Sequence, residues 1–136
     1  MAQIIIVTWD GGGNVPPALA IAHELSARGH GIRVLGHRSQ RDVIEAAGFS
    51  AVPTTHARQF RAGDPHSTPD LLATFGDRGM GRDLVAELAR QPADLVLVDA
   101  LMLGALDAAR ASGVPYAVLE HCYDEYYRSA PRGPLG

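Results

Sequence analysis

Strands and helices alternate along this chain of 136 residues, which predicts an α/β domain. Its three layers place a parallel sheet of at least five strands between two layers of helix, a Rossmann-like arrangement. Three observations carry that reading. Residues 4–7 and 95–98 are unbroken apolar runs, as expected of parallel strands covered on both faces. Ala18, Leu19, Ile21, Ala22 and Leu25 recur at helical spacing after the first run. The connections are short and punctuated by glycine, which suits strands joined by right-handed crossovers.

The first strand spans about residues 3–8. A loop of almost bare backbone follows, Thr8-Trp9-Asp10-Gly11-Gly12-Gly13-Asn14. Its glycines allow positive φ and close approach to a ligand or to another segment. Asn14 stands where a helix cap is favoured, and Pro16-Pro17 suits a first helical turn. That helix stops at Arg28-Gly29-His30-Gly31. The second strand is 32–35, and Ser39 reads as the cap of a short helix with Val43, Ile44 and Ala47 on its inner face. Gly48 ends it before a short third strand, 50–53. The polar stretch 54–69 shows little periodicity, and a loop that long inside a domain is functional or mobile. Helical pattern returns over about 70–89, broken near Gly76 and Gly79. The fourth strand, 95–98, ends at Asp99, a helix follows over 103–111, and 116–119 is the last clear strand. Tyr123, Tyr126 and Tyr127 then form an aromatic face with nothing later to cover it, so a continuation is expected. Residues 1–136 read as one domain without repeat or linker.

Composition removes several function classes. The hydrophobic fraction is 46% and mean hydropathy is -0.01, ordinary for a soluble protein. No stretch approaches the ~20 apolar residues of a membrane span, and the start does not read as a signal peptide. A cytoplasmic location is the default. The single cysteine, Cys122, excludes an internal disulfide framework and belongs to no metal motif. All twelve basic residues are arginines, which excludes a P-loop or Schiff-base lysine. They are scattered, and with a net charge of -3 they give no nucleic-acid footprint.

In an open parallel sheet, ligands bind beyond the carboxyl ends of the strands. That edge collects Trp9, Asp10 and Asn14, then His37 and Arg38, then 54–56, then Asp99, then 120–122. Each has a plainer role beside a functional one. Asn14 and Asp99 are natural helix caps. The glycine loop is compatible with a simple tight turn. His30 suits a helix stop, His23 a half-exposed helix position, and the tyrosines suit packing. His56 and His66 lie in the long loop without further signal. His37 and His121 stand at the crevice edge. Gly11-x-Gly13 after a strand also suggests an NAD(P)-binding module, with His37-Arg38 placed to meet a 2′-phosphate. Pro16 stands where that fingerprint needs its third glycine.

Gly13-Asn14-Val15-Pro16-Pro17-Ala18-Leu19-Ala20-Ile21-Ala22, followed by Leu25 and Ala27-Arg28-Gly29-His30, resembles the amino-terminal domain of GT-B glycosyltransferases. The nearest group decorates natural products and includes UDP-glucuronosyltransferase-like enzymes. A helix ending Ala46-Ala47-Gly48-Phe49, the segment 94–99, and Gly113-Val114-Pro115 continue the likeness over nearly the whole chain.

The resemblance implies that this half binds a small-molecule acceptor. A carboxy-terminal donor domain, in cis or in trans, would hold a UDP- or TDP-sugar, and transfer would invert the anomeric carbon. No cofactor or metal is expected in this chain, which alone should not turn over. In the family, a motif histidine is the general base and an aspartate after the fourth strand orients it. Asp99 matches the aspartate, but Asn14 stands at the histidine position and an amide is no base. Three routes are open: Asp10 or Asp99 serving directly, His37 or His121 reaching in from a neighbouring strand end, or an acceptor that needs only positioning; a relocated carboxylate is preferred. The expected catalytic set is therefore Asn14, Asp99 and Asp10. The resemblance places the glycine loop beneath the acceptor hydroxyl, with Trp9, Gly12, Gly13, His37, His121 and Tyr123 as acceptor contacts and the 54–69 loop as a wall. A non-catalytic helper of the same fold is the remaining alternative.

Overall fold

The computed structural model describes residues 1–121. Cys122 and the tyrosine cluster, Tyr123 included, lie outside the described residues. Five strands, β1 (Gln3–Val7), β2 (Gly31–Leu35), β3 (Ser50–Val52), β4 (Leu95–Asp99) and β5 (Tyr116–Leu119), form one sheet in the order β3-β2-β1-β4-β5. Every neighbouring pair is parallel. Among the described residues five α-helices connect them: α1 (Val15–Ala27), α2 (Arg41–Ala46), α3 (Thr68–Phe75), α4 (Arg78–Arg90) and α5 (Leu103–Ser112). No described helix is long and apolar enough to cross a membrane.

The two-residue alternation of a strand explains the layers. Ile4 and Ile6 face a core with Ala18 and Ala22 of α1 and Ile44 of α2. Ile5 and Val7 face the opposite core, with Met80 and Leu84 of α4, Met102 just before α5, and Ala105 and Ala109 of α5. Both faces are covered, so β1 has no polar side, and burying each isoleucine contributes roughly 1.5–3 kcal/mol.

One local reading changes, and two are made definite. Ser39 does not cap α2: residues 38–40 form a 3-10 turn, and the Ser39 hydroxyl donates to Asp10 Oδ2 at 2.5 Å. The break expected near Gly76 is present, dividing two helices at Gly76-Asp77, whereas Gly79 lies inside the second. Asp77 makes that division, because its carboxylate accepts the backbone N–H groups of Gly79 and Met80 as the cap of α4. Between β3 and α3 the long loop is tied to α4. Asp83 accepts from the backbone N–H groups of Thr55, His56 and Ala57, and Asp77 from that of Arg58. Ala57 and Phe60 are thereby held in the core.

Order β3-β2-β1-β4-β5 also fixes where a site belongs. The chain leaves β1 toward β2 and β3, then returns across the sheet to β4 and β5. The direction reverses between β1 and β4, and crevices open at such a switch point. Asn14 follows β1, and Asp99 ends β4.

Candidate active site

Asn14 stands at the cap position of α1 but caps nothing. Its backbone is helical (φ -81°, ψ -19°) and its side chain makes no capping bond. The reason is in the sequence: a cap side chain accepts from the second or third helical N–H, and Pro16 and Pro17 have none. The freed amide turns into the switch point. Nδ2 donates to Trp9 O at 2.9 Å, Thr8 Oγ1 at 3.1 Å and Asp99 Oδ2 at 3.2 Å. Three acceptors around one nitrogen fix the orientation, since the reversed amide would set oxygen against the Trp9 carbonyl and the Asp99 carboxylate. Oδ1 is buried without a partner among the described residues.

The loop above has different reasons for its glycines. Gly12 takes φ +84°, open to glycine at little cost. A Cβ on Gly11 would lie 2.5 Å from the Trp9 ring and 2.7 Å from Asn14 Oδ1, so the backbone crosses both where only hydrogen fits. Gly13 has nothing within 4 Å of where its Cβ would stand.

Asp99 is saturated. Oδ1 accepts from the Leu101 N–H at 3.0 Å, and Oδ2 is shared by Asn14 Nδ2 and by His121 Nε2 at 2.6 Å. Its side chain is 1% exposed and that of His121 is 20% exposed. Asp99 does not cap α5, whose cap position is Met102. It holds the first turn after β4 and joins β1, β4 and β5 through one carboxylate.

Asp10 and His37 form a separate group toward β2. The Asp10 N–H donates to His37 Nδ1 at 3.2 Å, and the Asp10 carboxylate accepts from Ser39. Burial holds His37 below the usual histidine value, which the charges of Asp10 and Asp77 offset only in part. His37 is a neutral, buried strut. Gln40, also buried, ties this group to the loop by donating to Trp9 O at 3.0 Å and accepting from the His37 N–H at 2.8 Å. Trp9 itself is core: its ring lies edge-on to Phe75 at 5.0 Å and tilted against Phe60 at 5.6 Å. Arg38 donates to the carbonyl of Thr54, beside a cavity of 280 Å³ lined by His37, Arg41, Val52 and Pro53.

The structure thus brings Asn14, Asp99 and His121 into contact and leaves Asp10 and His37 on the far side of the glycine loop. Sequence reasoning missed Thr8, Gln40 and Asp83. Only Asn14's release from capping had a signal, in the two prolines. Among the described residues no group of three or more histidine, cysteine or acidic side chains is arranged to hold a metal ion.

No family profile matches the chain. It is similar to the 4′-demethylrebeccamycin synthase of Lentzea aerocolonigenes, 28% identical over 99% of this chain and 36% of that protein. Among solved structures, the kitacinnamycin glycosyltransferase superposes with a TM-score of 0.74 at 24% identity, over 93% of this chain and 33% of its own. Glycosyltransferase VinC, in complex with dTDP, gives 0.72 at 23% identity over 93% of this chain and 36% of its own. This is the fold of the amino-terminal half of a GT-B glycosyltransferase. The chain spans about a third of the length of the proteins it matches.

Proposed function

We propose that this chain is the acceptor-binding half of a nucleotide-sugar-dependent glycosyltransferase that modifies a small-molecule natural product with inversion. The observation that carries the reading is a likeness spanning 99% of this chain to a third of the 4′-demethylrebeccamycin synthase, together with the superposition on a third of two solved glycosyltransferases. The switch-point geometry agrees with it: Asn14 and Asp99 meet across the reversal of the sheet, where a GT-B enzyme places its acceptor hydroxyl. The acceptor would lie over the glycine loop, between the 54–67 loop and the ends of β4 and β5. A UDP- or TDP-sugar would sit on a carboxy-terminal donor domain, in cis or in trans.

The nucleotide-module alternative has a physical objection. Phosphate at a helix start is held by the first free N–H groups. At α1 the second and third positions are prolines, and the Asn14 amide is engaged with Asp99.

A fusion of this chain to the donor half of the demethylrebeccamycin synthase tests the proposal. Incubated with TDP- and UDP-sugars and a panel of polyhydroxylated aromatic and macrolide acceptors, it should give a glycoside detectable by mass spectrometry. A folded fusion that binds the nucleotide sugar yet glycosylates no acceptor in the panel would count against the assignment.

A further inference from the structure

We propose that His121 is the general base of this site, held by Asp99 and supplied from β5 instead of from the loop after β1. The inference rests on the acceptor-half reading and assigns the step that Asn14 leaves open. An amide at position 14 has no basicity, so some other group must take the acceptor proton.

Asp99 is badly placed for it. Both of its oxygens already accept hydrogen bonds, from Leu101, Asn14 and His121, and its side chain is 1% exposed. Asp10 is bonded to Ser39 on the β2 side, and His37 is buried with Nδ1 accepting from the Asp10 N–H. Among the described residues, His121 alone combines an imidazole, partial exposure and contact with the switch-point carboxylate.

The contact also selects the tautomer. A carboxylate can only accept, so the 2.6 Å bond places the proton on Nε2 and leaves the Nδ1 lone pair as the basic site. Asp99 then works as a positioning residue, holding the ring in one tautomer and orientation. Asn14 braces Asp99 by donating from Nδ2 to the same oxygen, Oδ2. The imidazole–carboxylate pair is thus retained with the ring arriving from a different strand.

In the reaction, the acceptor O–H or N–H gives its proton to Nδ1 of His121. The acceptor atom forms its bond to the anomeric carbon of the sugar. The bond from that carbon to the nucleoside diphosphate breaks on the opposite face, and the diphosphate leaves with the electron pair. His121, now carrying two ring protons, returns one to solvent.

The test uses the same fusion, with His121→Gln and His121→Ala. Glutamine keeps a donor toward Asp99 but offers no basic nitrogen, so kcat should fall by about 10²–10⁴-fold with the acceptor KM within about threefold. Added imidazole should restore part of the alanine variant's kcat. Two results overturn the assignment: a glutamine variant with the parent kcat, or a folded alanine variant that imidazole does not rescue. If a folded parent fusion that binds the nucleotide sugar transfers none of it, the acceptor-half reading falls and this one falls with it. Loss confined to the His121 variants separates the two.

Discussion

Replacing Asn14 by aspartate tests the switch-point contact directly. The change swaps a donor for a carboxylate oxygen 3.2 Å from Asp99 Oδ2 and 2.9 Å from the Trp9 carbonyl. Two unit charges 3.2 Å apart at an effective dielectric of ~20 repel by about 5 kcal/mol. The pair can escape by holding one proton between them, which restores a donor. That escape has its own pH dependence. The folded variant binds a proton that the unfolded chain releases near pH 3.9, so stability is retained at low pH and lost as pH rises. Urea denaturation of Asn14→Asp against the parent should therefore show a loss of about 3–5 kcal/mol at pH 8 and about 1.5 kcal/mol at pH 5. A variant as stable as the parent at pH 8 would refute the contact, because no arrangement with Asn14 turned toward Asp99 tolerates the second charge.

Other consequences follow from buried polar groups. Burial alone would raise the Asp83 carboxyl, but the N–H groups of His56, Thr55 and Ala57 and the His56 ring hold it below the usual aspartate value. Its stabilising contribution should be complete above about pH 4 and lost as pH falls through its lowered folded value. Asp83→Ala should cost about 2–4 kcal/mol, flatten that acid limb, and speed hydrogen exchange at residues 55–57 at least about tenfold; unchanged exchange would contradict the anchor. Arg33 Nε meets Glu87 Oε1 at 2.6 Å with both side chains buried, tying β2 to α4. Glu87→Ala should cost about 3–5 kcal/mol, while Arg33→Met with Glu87→Leu should lie within about 2 kcal/mol of the parent in urea. An equal loss in the single and double variants would show that shape, not the orphaned charge, sets the cost.

The sheet was legible because burial on both faces writes itself as continuous apolar runs, and residues 4–7 and 95–98 are such runs. The crevice was legible for the same reason, since strand ends follow from strands. What depends on distant partners was not. Arg33 sits in an apolar strand with no local sign that Glu87, 54 residues on, will neutralise it. The loop after β3 looked unstructured because its anchor, Asp83, lies in another element. Asn14 misled for a different reason. Its residue type and position say cap, and only the missing N–H groups of Pro16 and Pro17 say otherwise. His121 was one of several candidates at the crevice edge until β5 was paired with β4 in register, Asp99 opposite Leu119. Two residues beyond that pairing, the ring reaches the carboxylate.

The most direct test of the acceptor-half account is calorimetric titration of UDP- and TDP-sugars into this chain. With the second and third helical N–H groups of α1 absent and the Asn14 amide committed to Asp99, no saturable binding is expected up to about 1 mM, weaker than about -4 kcal/mol. A dissociation constant in the low micromolar range, about -8 kcal/mol, would place the nucleotide on this half and contradict the account.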